Sequence, residues 1–328
     1  MSVFGGGRTE PDGGSYVTPQ ALLDELQAAE EAGAEALGLW IATCEDRRLR
    51  GGLRVIRARD LAHARIARRR LAVLGAAGAH EAPRQVQSLR GLLGAADVSN
   101  RSKLAILLSR FPARADDALP ESVASLDDDE TRALLEAVHD DDRASLRWLR
   151  EASDEPGGPT AAAPGPATPA VLRFLDALRA AEVASAEVFG AWRLACTLPG
   201  LRGGLDTITE REATHAALVA ERFAELGGVA RARVDDGVVA RAHDRFGTSA
   251  CSDEQKLAVV AARYPDDAAV TAPLLGVLDP LGDDGETREM LRLIAAGEAA
   301  TFAWLRSYHR AIAARPREVS LRVLDGGR

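Results

Sequence analysis

Glu182 and the run Glu212-Ala-Thr-His215 are the residues best placed to do chemistry. In a helix over Leu175, Leu178, Glu182, Ser185, Phe189, Trp192 and Cys196, every position falls on one stripe, and Glu182 lies at its centre. The following stretch, Leu205, Ile208, Glu212, His215, Val219, Phe223 and Leu226, has the same period. Glu212 and His215 stand at i and i+3, so they project from one face a turn apart. Buried acids are costly unless paired, hydrogen-bonded or bound to a metal. A Glu on one helix and Glu-x-x-His on its neighbour is half the ligand set of a carboxylate-bridged di-metal bundle. Carboxylate oxygen and imidazole nitrogen suit iron, with manganese and zinc as alternatives. The plainer reading, a His and a Glu satisfied as a core pair, stays open beside it.

The helices that must position these groups occur twice. Trp40-x9-Arg50-Gly51-Gly52-Leu53 returns as Trp192-x9-Arg202-Gly203-Gly204-Leu205. At that constant offset Glu30 matches Glu182, Asp60 matches Glu212, and His63 matches His215. Lys103-Leu104-Ala105 with Arg110-Phe111-Pro112 returns as Lys256-Leu257-Ala258 with Arg263-Tyr264-Pro265. Glu130-Thr131-Arg132 and Trp148 return as Glu286-Thr287-Arg288 and Trp304, which sets Asp142 against Glu298. The chain therefore reads as a tandem duplication: an arm over 1–17, one repeat over 18–152, a Pro/Gly/Ala linker over 153–167, a second repeat over 168–315 and a tail over 316–328. Each repeat is expected to be all-α. Thr18-Pro19 and Thr168-Pro169 are helix starts. Breaks are expected near Arg50-Gly51-Gly52, and a third helix over 100–111. The seam acids and the seam His appear in both copies. His80, His139, His243 and His309 have no matched partner and are assigned to surface or loops.

These residues resemble the ferritin-like superfamily, in particular its rubrerythrin-like and encapsulated-ferritin-like members. The likeness rests on a helix with a central Glu, Glu-x-x-His about thirty residues later, and the run from Leu205 through Arg211-Glu212 and His215-Ala216 to Glu225-Leu226-Gly227. It covers mainly 18–75 and 170–227. The resemblance implies two four-helix bundles holding non-haem iron, with ferrous oxidation by oxygen or peroxide as the activity. Two departures stand out. The third helix of each half carries only Lys103 or Lys256 near its start, and the fourth has Asp142-x-x-Ser145 or Glu298-x-x-Thr301 rather than Glu-x-x-His. One arrangement sets one metal in each half, on Glu30, Asp60, His63 and Asp142 and on Glu182, Glu212, His215 and Glu298. The other pools Glu30, Asp60, His63, Glu182, Glu212 and His215 between the halves. The acid on each fourth helix favours the first.

The remaining composition narrows the classes. Hydrophobic residues make up 46% of the 328 and aromatics 4%, with Ala and Leu abundant, which favours helix. A net charge of −8 argues against nucleic acid as a partner, and the basic run Arg65, Arg68, Arg69, Arg70 reads as one solvated helix face. Cys44 and Cys196 read as buried thiols rather than a disulfide framework. The N-terminus has no signal-peptide core, and no apolar run spans a membrane, so a cytoplasmic protein is expected. Walker, dinucleotide-binding, serine-elbow and Cys-x-x-Cys motifs are lacking, which leaves three readings. They are an iron-binding protein, a metal-free helical scaffold for a protein partner or self-assembly, and an oxygenase acting on a small molecule.

Overall fold

The computed structural model describes residues 18–78, 80–82, 84–111, 119–154, 167–281 and 284–314. They form twelve α-helices and one 3-10 turn at Asp279–Leu281, so the fold is all-α. The expected arm, nearly all of the linker, and the tail lie outside the described residues. Among those residues no helix is long and apolar enough to cross a membrane.

Six long helices carry the candidate site. They are α1 (Pro19–Thr43), α2 (Arg47–Val73), α6 (Asp129–Asp154), α7 (Pro169–Ala195), α8 (Pro199–Glu225) and α12 (Gly285–Ala313). The shorter ones are α3 (Arg84–Gly94), α4 (Asn100–Ser109), α5 (Glu121–Ala124), α9 (Asp236–Phe246), α10 (Asp253–Arg263) and α11 (Asp267–Leu275). Helices α1 and α7 start as the sequence indicates. The Thr18 and Thr168 hydroxyls accept from the backbone N–H of Ala21 and Val171, and a proline fills the first turn. Helices α2 and α8 run on to left-handed glycines, Gly75 at φ 70° and Gly227 at φ 79°.

The expected break at Arg50-Gly51-Gly52 is not there. Helix α1 gives way at Cys44, Asp46 caps α2, and the glycine pair lies within α2; Gly203-Gly204 lies likewise within α8. Packing is the reason. A Cβ on Gly51 would stand 2.4 Å from the backbone oxygen of Glu286, and one on Gly203 would stand 2.2 Å from that of Glu130. On Gly52 and Gly204 it would run into the rings of Trp148 and Trp304, at 2.0 and 2.1 Å. The glycines are recesses for other helices rather than helix punctuation.

Those contacts interleave the halves. Helices α1 and α2 form one hairpin and α7 and α8 another, but α6 lies most extensively on α8 and α12 on α2. Helices α2 and α8 cross antiparallel, because Arg54 pairs with Glu225 while Arg65 and Arg69 pair with Glu210. The basic run is a solvated face at three of its four positions, and the reading is corrected at Arg70. Arg65, Arg68 and Arg69 are exposed, but Arg65 and Arg69 bind α8, Arg68 binds Glu31, and Arg70 is buried on Asp128 and Thr131. The matched residue Arg222 holds Asp284 and Thr287 in the same way. The third-helix segment ends as a helix at Ser109, two residues short of Phe111. Its Lys103 is buried and donates to the Leu93 carbonyl at 2.8 Å.

Candidate metal centre

Each long helix brings one face of its seam inward. Glu30, Asp60, His63, Asp142, Glu182, Glu212, His215 and Glu298 are all buried, at no more than 7% exposure. They gather into two clusters. Ligand-capable atoms of Glu30, His63 and Asp142 lie within 4.8 Å of one another, and so do those of Glu182, His215 and Glu298. Both clusters have the same build: an acid from the first helix, a His from the second, and an acid from the fourth.

In the second cluster His215 Nδ1 lies 2.9 Å from a Glu298 oxygen and 3.7 Å from one of Glu182. Burial pushes the imidazole pKa down, but the carboxylates of Glu182 and Glu298 beside it override that and raise the pKa to about 9. Glu212 joins through Glu182. Burial, then the charges of Glu298 and Glu182, hold its carboxyl well above the usual range. The first cluster is looser. His63 Nδ1 lies 3.8 Å from Glu30, much as His215 does from Glu182, but 3.9 Å from Asp142, whose side chain is one methylene shorter than that of Glu298. Here too burial lowers the His63 pKa, and Asp141 and Glu30 more than restore it, to about 10. Burial raises the Asp60 and Asp142 carboxyls, with the Glu30 charge adding to the effect at Asp60.

Asp141 and Arg211 complete the arrangement, and neither was singled out from the sequence. Asp141 accepts from both sides: from His63 Nε2 at 3.3 Å, and from Arg211 Nη2, which reaches its two oxygens at 2.8 and 2.9 Å. Burial works against the charged form. Arg211, His63 and Arg59 nonetheless hold the Asp141 carboxyl well below the usual range. Asp141 fixes the ring of His63 so that Nδ1 faces Glu30 and Asp142, the role a hydrogen-bonded carboxylate plays behind a metal-ligating His. Asp141 sits in the run Asp140-Asp141-Asp142, which reads as solvated charge. The signal that could have exposed it is the repeat offset, which sets Asp141 against Gly297.

Of the unmatched histidines, His139 is buried in α6, which corrects its assignment to surface or loop. It sits one helical turn before Asp142, on the side of α6 that packs inward. His80 is exposed and pairs with Asp24. Trp40 and Trp192 are wholly buried core rings whose indole N–H groups donate to Asn100 and Asp253, at 2.8 and 2.9 Å. Burial raises the Cys44 and Cys196 thiols to about 11 and about 12, so both are unreactive at neutral pH.

Three carboxylates and one imidazole in each half could hold a hard or borderline cation with positions to spare. His63 Nδ1, Glu182 Oε2 and Glu212 Oε1 face these clusters with no hydrogen-bond partner among the described residues, as a donor set built for an ion would. Compared with family models, with curated proteins and with solved structures, the chain matches none, and its own residues carry the functional argument.

Proposed function

We propose that this chain is a ferritin-like metal-binding protein that takes up non-haem iron at two internal positions, one in each half. Glu30, Asp60, His63 and Asp142 would hold one ion, and Glu182, Glu212, His215 and Glu298 the other. The observation that carries this reading is the double gathering of buried acids around an imidazole whose Nδ1 faces them. Bound iron would supply one-electron exchange with oxygen or peroxide. The protein residues do the rest. The carboxylates bind the cation and give up the protons they hold in its absence. Asp141 keeps His63 turned toward the ion. The apolar shell of Leu and Ala side chains keeps bulk water from the ligands.

The rival reading is a metal-free scaffold, and one observation favours it. The His215–Glu298 hydrogen bond and the Glu182–Glu212 contact already satisfy much of the second cluster without an ion. Elemental analysis of purified protein, after aerobic expression with added iron, separates the two. The metalloprotein reading expects close to one iron for each half. Glu212→Ala with His215→Ala should remove one of them, and Glu30→Ala with His63→Ala the other. Iron absent from the wild-type protein, or retained in full by both double variants, would leave the scaffold.

A further inference from the structure

A cleft of about 390 Å³ is lined by α6, α12 and α8, and Arg59 of α2 reaches into it. Its walls are apolar: Ala137 and Ala144 with Trp148 from α6, Ala296 and Ala300 with Trp304 from α12. Its buried polar groups are Arg59, Arg211, Thr207, Thr301 and Asp141, and the exposed Asp140, Arg147 and Glu151 also line it.

The repeat register makes these groups unequal. Arg59 matches Arg211, and Asp141 matches Gly297. Arg211 is paired with a carboxylate: its Nη2 reaches both Asp141 oxygens at 2.8 and 2.9 Å, and its Nη1 donates to the Thr301 hydroxyl at 2.5 Å. Arg59 is 5% exposed, yet its hydrogen bonds among the described residues go to neutral acceptors, the Ser145 hydroxyl and the Leu293 carbonyl, both at 3.3 Å. The carboxylate that should serve it is the one Gly297 lacks. The same gap reaches His215. Asp141 holds His63 Nε2, but His215 Nε2 has no hydrogen-bond partner among the described residues. Gly297 lies directly beside it, for a Cβ there would stand 3.3 Å from that nitrogen. Thr207, at 2% exposure, also has an unpartnered hydroxyl among the described residues. A buried guanidinium, an imidazole nitrogen and a hydroxyl are thus left open around one missing acid, and buried polar groups in native folds are seldom left so.

We propose that the cleft binds a small apolar or aromatic carboxylate whose carboxyl group takes the place Asp141 fills in the other half, bridging Arg59 and the Nε2 edge of His215. The planar two-oxygen group suits a guanidinium, as the two Asp141 oxygens do on Arg211 Nη2. The Thr207 hydroxyl is free to donate to it. The rest of the ligand lies among alanines and the two indoles, which suit an uncharged ring or short hydrocarbon chain. A single negative charge matches a guanidinium that hydrogen-bonds no carboxylate among the described residues, and with Asp141 lining the same cleft a phosphate dianion would overshoot it. The inference concerns the chain's own cation and holds whether or not a metal is bound.

Benzoate is the probe, titrated against the full chain by calorimetry and by the fluorescence of the cleft tryptophans, with benzyl alcohol and inorganic phosphate alongside. Both protein as isolated and protein stripped with a chelator are used. Saturable benzoate binding is expected in both. Benzyl alcohol and phosphate should bind at least about tenfold more weakly, as loss of a charge-assisted pair implies. Arg59→Met should weaken benzoate by about tenfold or more. Gly297→Asp supplies the acid from the chain itself, so it should abolish benzoate binding and raise the melting temperature. The proposal is overturned if benzoate does not bind, if benzyl alcohol or phosphate binds as well, or if Arg59→Met leaves the affinity unchanged. It is overturned too if chelation removes binding, because the carboxylate would then sit on a metal. Should Arg59→Met fail to fold, Gly297→Asp decides the matter, and undiminished benzoate binding in that variant ends the idea.

Discussion

His215 and Glu212 give the protein a pH dependence of definite sign. The His215 pKa rises from its ordinary 6.5 to about 9, so the folded chain holds that proton more tightly than the unfolded chain does. The stability this contributes is complete below pH 6.5 and is lost as pH climbs through about 9. Glu212, raised by burial beside Glu298 and Glu182, acts in the same direction, because it keeps a proton on folding that it loses on unfolding. The melting temperature of metal-free protein should therefore fall steadily from about pH 6.5 to about pH 9. Ligation needs the unprotonated groups, so the stabilisation due to iron should widen over the same range. Calorimetry of chelated and loaded protein checks both, and a flat metal-free profile would contradict the burial of these groups. Asp141→Asn tests the buried link between the halves. It keeps the shape but strands Arg211, and should cost about 3 kcal/mol, as breaking a buried ion pair does. Denaturant unfolding measures this, and a loss under about 0.5 kcal/mol would mean that water or another acid replaces Asp141.

Among the helices, the glycines of α2 and α8 are the sensitive points. Gly203→Ala puts a methyl 2.2 Å from the Glu130 carbonyl, so α6 must lift off α8. The expected cost is about 1–3 kcal/mol, with helix content unchanged by circular dichroism. Gly91→Ala in α3 meets open space and should gain up to about 1 kcal/mol from helix propensity alone. If both variants melt alike, close approach is not what selects glycine at position 203. Helix existence was readable because it depends on nearby residues: a Thr-Pro start, a 3.6-residue apolar period, and a glycine after the last turn. The Gly-Gly pairs were misread because Gly means a break when neighbours in sequence set its role. Here the deciding neighbours are Glu286 and Trp148 for one pair, Glu130 and Trp304 for the other.

Across the molecule, each half lends its last long helix to the other's central helix. Residues 18–152 and 168–315 expressed apart should each expose the surface that α8 or α2 covers. Each alone should aggregate or remain loosely packed, and mixing should restore a cooperative melt. A sharp melt from either half in isolation would show that the exchanged contacts are dispensable.

Composition and period fixed the all-α class, and the repeat offset picked out eight of the buried acids and histidines, because a charged residue in an apolar stripe stands out locally. The sequence offered two arrangements, four residues in each half or six pooled between the halves, and which side chains lie together depends on tertiary packing. The clusters Glu30–His63–Asp142 and Glu182–His215–Glu298 come together only when α6 and α12 are seated. The same holds for Asp141, Arg211 and the cleft beside Gly297. Their partners are 70 residues or more away along the chain, and no local pattern encodes which of three adjacent aspartates meets an arginine on another helix.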